Sequence, residues 1–374
     1  MAGRERAGAT FALVAGGGTA GHVLPGLAVA DDLVARGHSP ASIVFVGSAR
    51  GLERDLVPAR GYAIELLPGR GVQRRLTIEN LAAIWGLLRA VVRGVGLVRR
   101  FRPRVLLTVG GYASVGPVVG AVLWRVPIVV TEQNARAGLA SRLAGRFAKA
   151  CAVPFEGTDL PRAEVTGNPV REEVLAVERV DGRAAACAEL GLPADRTIVA
   201  VVTGSLGARR VNEAVLAALG SWSARTDLAI HHVIGDRDWA SMSTAAPETE
   251  GLVYRAVRYE ERMASVLTAA DLLIGRAGGT TVAELTAVGL GGVLVPLPGA
   301  PRDHQTANAA ALVRAGGAIL VPDAELDGSR LVREVTPLLD APERLVAMGR
   351  AAATLGHRDA AARVADLVER VARR

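Results

Sequence analysis

Residues 10–30 read TFALVAGGGTAGHVLPGLAVA, and they hold the first of several strand, turn and helix patterns. The apolar run at 11–15 predicts a buried strand, and the three glycines at 16–18 permit a tight turn that side chains would hinder. Helix-compatible residues follow from about Leu24, where Pro25 suits a first helical turn. Such a turn presents backbone N–H groups and the positive end of a helix dipole, so it predicts a site for an anion.

His22 lies in this turn and can exchange a proton near neutral pH. Tight strand-to-helix turns without any ligand show the same glycines, so that alternative stays open. A nicotinamide site is disfavoured because the second predicted strand, 42–46, ends in Gly47-Ser48 instead of a carboxylate. An ATP-binding P-loop is disfavoured as well, because the turn ends Ala-Gly-His and lacks the Gly-Lys-Ser/Thr ending.

Length and composition indicate two α/β domains. The chain has 374 residues, half of them apolar, and a net charge of +7 that comes almost entirely from arginine. This charge suits phosphates or an anionic membrane surface, whereas 3% aromatic residues offer little for stacking nucleic-acid bases. Two cysteines cannot form a disulfide framework or a zinc site of usual spacing, which favours a reducing cytoplasm. We expect neither a signal peptide nor a membrane-spanning run.

Strand-like and helix-like runs alternate along the whole chain, which predicts parallel sheets covered by helices on both faces. Strands are predicted at 11–15, 42–46, 105–109, 128–131, 198–203, 229–234, 272–275 and 292–296, with helices at 25–36, 212–219 and 281–288 among them. A second strand, Gly-Ser-x-Gly turn and helix opens at 197–219. We therefore expect two similarly built halves, a hinge near 165–171, and ligands at the carboxyl ends of the strands in a cleft between the halves.

Residues 76–104 combine apolar side chains at helical spacing with six arginines, and Arg74 and Arg75 directly precede them. This pattern is typical of a helix that packs its apolar stripe on the sheet. It is equally typical of a surface that dips into a membrane while arginines meet lipid phosphates. Both interpretations stay open from the sequence.

The second half contains two further polar loops. Residues 276–280, Arg-Ala-Gly-Gly-Thr, precede a predicted helix and again suit a diphosphate. Glu284, one turn into that helix, is either a ribose ligand or a partner of the helix dipole. Gln305 and Asn308 share a helix face and suit sugar hydroxyls, with His304 at the same rim.

Seven motifs then occur in one order. They are GGGTAGHVLPGLAVA, VGGYAS, TEQN, GNPVR, TGSLGAR, GRAGGTTVAEL and DHQTANA. With these motifs the sequence, over about residues 10–365, resembles the MurG family, the membrane-associated glycosyltransferases that add N-acetylglucosamine (GlcNAc) to the lipid-linked muramyl-peptide precursor of peptidoglycan. The resemblance implies an α/β, GT-B fold of two Rossmann-like doubly wound domains. It implies an acceptor and membrane-facing domain at 1–167, a UDP-GlcNAc domain at 168–352, and a helix at 353–374 that packs back on the first domain.

The resemblance also implies roles for individual residues. On the donor side these are Arg171 and Ser205 on the UDP diphosphate, Gly278, Gly279 and Thr280 beneath it, Glu284 on the ribose, and His304, Gln305 and Asn308 on the sugar. On the acceptor side these are Gly16 to Gly21 around the lipid diphosphate, with Thr19, Ala20 and Gly21 as binding residues, Asn134 near the reacting centre, and Tyr112 and Glu132 along the acceptor cleft. His22 is the expected general base, and Glu132 is the alternative.

The implied reaction is an inverting transfer of GlcNAc from UDP-GlcNAc to the MurNAc-pentapeptide of undecaprenyl-diphosphate lipid I, giving lipid II, with no metal or other cofactor. The implied location is the cytoplasmic face of the bacterial membrane, as a peripheral protein, with the anionic membrane surface and cell-wall synthesis proteins as partners and no nucleic acid. Three alternatives are a UDP-sugar transferase with another lipid or natural-product acceptor, a UDP-GlcNAc 2-epimerase, and a non-catalytic nucleotide-sugar-binding protein. Thr131 stands where the family often has His, so no imidazole role is implied there.

Overall fold

The computed structural model describes residues 10–68, 79–204 and 207–373. The chain forms two compact units. The first unit comprises Met1–Arg171 and Arg358–Arg374, and the second comprises Glu172–His357.

The first unit is built on a seven-stranded sheet in which all strand pairs are parallel, in the order β3-β2-β1-β4-β5-β6-β7. The strands are β1 Ala12–Gly16, β2 Ile43–Ser48, β3 Ala63–Leu67, β4 Val105–Gly110, β5 Ile128–Thr131, β6 Ala150–Val153 and β7 Ala163–Val165. The helices of this unit before the second unit begins are α1 Ala20–Ala35, α2 Glu53–Ala59, α3 Glu79–Phe101, α4 Val115–Leu123 and α5 Leu139–Gly145.

Strand β1 lies inside this sheet, between β2 and β4, and all of its residues are buried, because helices cover both faces of a parallel sheet. Its alternate side chains enter two separate cores: Val14 packs with Leu27 of α1, whereas Leu13 packs with Val98 of α3. Helices therefore cover both faces of the sheet. The apolar run at 11–15 is explained by this double burial.

The last helix of the chain packs on α1. Its buried Val364 and Val368 join the same core as Val14, and Arg36, at the end of α1, donates hydrogen bonds to Asp366 (2.5 Å) and Glu369 (3.1 Å). The residues that follow the second unit are thus part of the first.

The second unit has a six-stranded sheet, also parallel in every pair, in the order β10-β9-β8-β11-β12-β13. The strands are β8 Thr197–Val202, β9 Leu228–Val233, β10 Val253–Val257, β11 Leu272–Gly275, β12 Gly292–Leu294 and β13 Ala318–Leu320. The helices of the second unit are α6 Glu172–Leu175, α7 Arg183–Leu190, α8 Arg209–Trp222, α9 Asp236–Met242, α10 Met263–Ala269, α11 Gly279–Val288, α12 His304–Arg314, α13 Gly328–Leu339 and α14 Pro342–Ala353. The last helix of the chain, α15 Ala360–Val371, belongs to the first unit.

Both sheets follow the same winding plan. The chain starts at a central strand, moves outward to one edge, and returns to the other side of the starting strand. The strand order therefore reverses between β1 and β4 in the first unit and between β8 and β11 in the second. In folds of this type ligands bind at the carboxyl ends of the strands beside such a reversal.

Most predicted elements are confirmed, with one clear error at the first helix. Helix α1 begins at Ala20, not near Leu24, so Pro25 is its sixth residue and lies beyond the first turn. The sequence reasoning placed the start too late because proline is commonest at the first helical position. The correction puts His22 inside the first turn of α1.

Helix α3 partly answers the question left open by residues 76–104. Ile78 and the rest of 76–78 lie outside the described residues, as do the side chains of 79–85. In the following turns Leu97 and Val98 are buried in the core. Leu88 and Val92, by contrast, are 53% and 73% exposed. Among the described residues, no helix is both long enough and apolar enough to cross a bilayer.

Candidate active site

The turns after β1 and β4 meet at the point where the first sheet reverses its order. The Gly17 N–H donates to the Gly110 carbonyl at 3.3 Å. A β-carbon on Gly16 would overlap that carbonyl, and one on Gly111 would overlap the Gly17 carbonyl. The two turns can approach this closely only because these positions are glycine. Together they form one floor at the carboxyl ends of the strands.

His22 stands above this floor in the first turn of α1. Its Nδ1 lies 2.9 Å from the Thr19 hydroxyl oxygen. Its Nε2 faces the β4 turn, since a β-carbon built on Gly110 would lie 3.5 Å from it. When Nδ1 carries the proton and donates a hydrogen bond to the Thr19 hydroxyl oxygen, Nε2 is the basic nitrogen. The backbone N–H groups of Thr19, Ala20 and Gly21 belong to the helix start, where N–H groups have no acceptor within the helix.

Tyr112 follows β4 and reaches across to the end of β2. Its hydroxyl donates to the Ser48 side-chain oxygen at 2.5 Å. Burial raises the pKa of Tyr112, so the phenol stays neutral and keeps its proton for hydrogen bonding. The predicted acceptor-side residue is therefore fixed to the end of β2, across β1.

Glu132 organises the loop after β5. Its buried carboxylate accepts hydrogen bonds, each 3.0 Å long, from the N–H groups of Gln133, Asn134 and Gly138 and from the Asn134 side-chain amide. Asn134 itself is half-buried and is oriented by this carboxylate. The four donors give Glu132 a structural task in this loop.

In the second unit, the loop between β11 and α11 carries the Gly-Gly-Thr sequence. Gly278 is the N-cap of α11, and Gly279 and Thr280 form its first turn. The hydroxyl oxygen of Thr280 is buried, and it has no hydrogen-bond partner within the described part of the chain. A phosphate oxygen at the helix start would satisfy such a hydroxyl. Arg276 supports the loop from behind by donating to Asp323 at 2.6 Å.

Two residues of the predicted sugar site hold loops in place. Asn308 is fully buried and donates to the Ala277 carbonyl at 3.0 Å, which ties α12 to the loop before α11. The Gln305 side-chain oxygen accepts the Leu297 N–H at 2.9 Å. Their predicted contacts with sugar hydroxyls stay predictions.

Helix α12 starts from a constrained backbone. Arg302 and Asp303 have φ values of 57° and 51°, in the left-handed region that non-glycine residues rarely adopt. Such conformations concentrate at ligand-binding sites. His304 is the first residue of the helix and its Nδ1 lies 2.9 Å from the Pro301 carbonyl oxygen.

Three further residues were predicted on the donor side: Glu284, Arg171 and Ser205. Glu284 lies within α11 and is only 8% exposed. Arg171 is the last residue of the first unit before Glu172 and is half-buried. Ser205 lies outside the described residues, between Gly204 and Gly207 of the turn after β8. The roles of all three stay predictions.

Comparison with known proteins now shows where the chain belongs. Residues 12–153 match the glycosyltransferase family 28 N-terminal domain, and residues 198–364 match the corresponding C-terminal domain. A protein of Nocardioides sp., named UDP-N-acetylglucosamine–N-acetylmuramyl-(pentapeptide) pyrophosphoryl-undecaprenol N-acetylglucosamine transferase, is 43% identical over 356 residues, covering 95% of this chain and 96% of that protein. The chain belongs to the MurG family of glycosyltransferases.

Solved structures of this family agree with the assignment. The crystal structure of MurG from Acinetobacter baumannii superposes with a TM-score of 0.75 at 27% identity, covering 96% of this chain and 99% of that one. The predicted GT-B fold class is thereby confirmed. A UDP-GlcNAc 2-epimerase from Neisseria meningitidis is also similar, with a TM-score of 0.67 and coverage of 96% and 99%. At 11% identity that likeness shows the shared fold alone.

One residue at the site was missed by sequence reasoning. Glu53, the first residue of α2, buries its carboxylate beside the glycine turn after β1. A glutamate in a first helical turn ordinarily indicates an exposed partner of the helix dipole, so nothing local marks it. The only signal is a pair of glycines, Gly47 and Gly51, which precede it closely in the sequence.

Proposed function

We propose that this enzyme transfers GlcNAc from UDP-GlcNAc to a hydroxyl of the muramyl-pentapeptide carried on undecaprenyl diphosphate. The observation that carries the proposal is identity of 42–43%, over about 95% of the chain, to several proteins named for this transfer. The polar groups at the two strand-order reversals supply chemistry that suits it.

The second unit suits the donor. The start of α11 offers N–H groups and the Thr280 hydroxyl to a diphosphate. Departing UDP gains negative charge in the reaction, and a helix N-terminus stabilises charge that develops beside it. Glu284 is placed one turn further along α11, where its carboxylate would accept hydrogen bonds from ribose hydroxyls.

The first unit suits the acceptor and the base. The acceptor oxygen forms a bond to the anomeric carbon while the bond from that carbon to the UDP oxygen breaks, and the electron pair of that bond leaves with UDP. The hydroxyl proton passes to His22 Nε2, with Nδ1 held by Thr19. A positioned base of this kind contributes a factor of about 10²–10⁴. One such displacement inverts the configuration at the anomeric carbon.

Glu132 is the weaker candidate for the base. Its carboxylate oxygens are already occupied by three N–H groups and one amide of the 132–138 loop. Taking up a substrate proton there would break hydrogen bonds that fold the loop. We therefore assign Glu132 to the orientation of Asn134.

The base is tested by the turnover of His22→Ala. We expect kcat to fall by about 10²–10⁴-fold with the KM for UDP-GlcNAc nearly unchanged. His38→Ala is the matched control, since this histidine of the same unit stacks on Phe11 and contacts Glu369. A near-normal rate for His22→Ala would rule out this residue as the base.

The donor is tested by binding. UDP-GlcNAc, added to the wild-type protein, should raise the unfolding temperature more than UDP-glucose does at equal concentration. Thr280→Val removes the hydroxyl but keeps the shape of the side chain, and should weaken the effect of both nucleotides. Equal stabilisation by the two sugars would contradict the assignment of UDP-GlcNAc as donor.

We further propose that the first unit sits on the cytoplasmic face of the membrane. Leu88 and Val92 on α3 are exposed, and so are Leu123 and Trp124 at the end of α4, a helix that packs on α3. Arg99 lies over the Trp124 ring at 5.5 Å and joins the two helices. Apolar side chains bordered by arginine suit an anionic lipid surface. We call these four apolar residues the exposed apolar surface.

A further inference from the structure

The Glu53 carboxylate is buried where a charge is costly. Glu53 is only 1% exposed to solvent. One oxygen accepts the Ser48 N–H at 2.6 Å and the other accepts the Gly18 N–H at 2.9 Å. A buried carboxylate needs such donors, because without them the loss of hydration is not offset. The carboxylate therefore joins the end of β2 to the glycine turn after β1.

Three glycines make room for this carboxylate. A β-carbon on Gly17, Gly47 or Gly51 would overlap atoms of the Glu53 side chain. These glycines come from three places: Gly17 from the turn after β1, Gly47 from the end of β2, and Gly51 from the loop after β2. The loops are thus shaped around the carboxylate, rather than the carboxylate filling a gap by chance.

The two hydrogen bonds reach the predicted acceptor residues on both sides. Gly18 immediately precedes Thr19, whose hydroxyl lies 2.9 Å from His22 Nδ1. Ser48 holds the Tyr112 hydroxyl through its side-chain oxygen. The acceptor-side tyrosine is therefore one hydrogen bond from Ser48, which Glu53 fixes, and the proposed base is one residue and one hydrogen bond from Gly18.

The carboxylate binds one N–H group of the 16–22 turn and leaves the N–H groups at the start of α1 for a ligand. The Gly18 N–H donates its hydrogen bond to the Glu53 carboxylate. The N–H groups of Thr19 to Gly21, at the start of α1, are left for the ligand. The buried negative charge repels a second anion most strongly next to Gly18 and less strongly further along the turn.

We propose that Glu53 is a positioning residue for the diphosphate of the acceptor. It holds the 16–22 turn and Tyr112 in register and directs the anionic group of the acceptor to residues 19–21. This inference rests on the proposed function, in which the first unit binds the acceptor.

The test is a kinetic comparison of wild type, Glu53→Gln and Glu53→Ala with varied lipid I analogue and varied UDP-GlcNAc. In Glu53→Gln the amide nitrogen meets an N–H donor, so one of the two hydrogen bonds is lost. We expect kcat/KM for the acceptor to fall about 10- to 100-fold, since loss of placement by about 1 Å costs this much. The KM for UDP-GlcNAc should change less than about twofold. Glu369→Gln is the matched control, being a hydrogen-bonded glutamate of α15 in the same unit.

A second pair of variants probes the same contact from the other side. Gly51→Ala places a methyl group on the Glu53 carboxylate, whose three atoms would be its nearest neighbours, at 2.1–2.4 Å. We expect it to reproduce the acceptor defect in the wild-type background and to add almost nothing in Glu53→Ala. This non-additivity is the signature of direct coupling. A merely destabilising effect would add in both backgrounds.

Three results would overturn the proposal: an unchanged acceptor kcat/KM, an equal loss for donor and acceptor, or additive effects of Gly51→Ala and Glu53→Ala. Amide hydrogen exchange supplies a readout that does not need turnover, and residues 16–22 should exchange faster in Glu53→Gln. An inactive wild type would refute the proposed function, while the exchange rates would still show whether Glu53 holds the turn.

Discussion

Replacing Asn308 by alanine should separate donor binding from acceptor binding. Asn308 is completely buried in α12, and its amide donates to the Ala277 carbonyl at 3.0 Å. In Asn308→Ala this buried carbonyl loses its donor, which costs about 1–3 kcal/mol, and the space left by the amide adds to the loss. We expect the second unit to lose about 2–4 kcal/mol of unfolding free energy.

The kinetic consequence follows from what the bond holds. Ala277 lies in the loop that carries Gly278, Gly279 and Thr280 to the start of α11. Without the hydrogen bond, the loop samples more conformations, and the N–H groups no longer converge on the UDP diphosphate. We expect the KM for UDP-GlcNAc to rise about tenfold, while the KM for the lipid acceptor stays within about twofold.

Urea unfolding followed by tryptophan fluorescence measures the stability, because Trp222 is buried in the core of the second unit. Thr336→Val is the matched control. It removes the hydrogen bond from Trp222 to the Thr336 hydroxyl at 2.9 Å, which costs about 1 kcal/mol in the same unit but far from the α11 loop. If Thr336→Val raised the donor KM as much as Asn308→Ala does, or if Asn308→Ala left it unchanged, the reasoning would be refuted.

Two further predictions concern the membrane and acid stability. The double variant Val92→Ser and Leu123→Ser should weaken binding to anionic vesicles in a flotation assay by about 10- to 100-fold, at about 1 kcal/mol per side chain. The control, Val180→Ser in the second unit, changes a still more exposed valine (89%) and should leave binding unchanged. Burial lowers the pKa of His232 from its ordinary 6.5 to about 3. As the pH falls, the unfolded chain therefore binds a proton on this residue before the folded protein does, and the free energy of unfolding decreases below about pH 6.5. Between pH 7.5 and 5.5 this loss is about 1.4 kcal/mol, and thermal unfolding of His232→Gln should show a smaller drop.

The hydrophobic runs were enough to predict the two halves and their central strands. Residues 128–131 and 272–275 were predicted with the bounds that β5 and β11 have. These strands are buried on both faces, so their sequence is apolar without interruption. Edge strands such as β7 and β10 were not predicted, since partly exposed short segments lack such a run.

The site was less accessible to sequence reasoning where it depends on contacts between distant residues. His22 and Tyr112 could be singled out because both follow strands of the same sheet. Glu53 could not, because its partner Gly18 is 35 residues away in the sequence. The hydrogen bonds of this carboxylate form only when the two loops meet in the folded protein. For the same reason the sequence did not indicate that the Asn308 amide donates to Ala277. Its predicted contact with the sugar stays a prediction.

The most direct measurement is transfer of label. The purified protein is incubated with UDP-GlcNAc radiolabelled in the sugar and with a short-chain analogue of the undecaprenyl-linked muramyl-pentapeptide, and the lipid fraction is counted. We expect label in the lipid product, one GlcNAc per acceptor, and its near absence with His22→Ala. Label that stays in UDP-GlcNAc, or appears as a free or epimerised sugar while the acceptor stays unlabelled, would contradict this expectation.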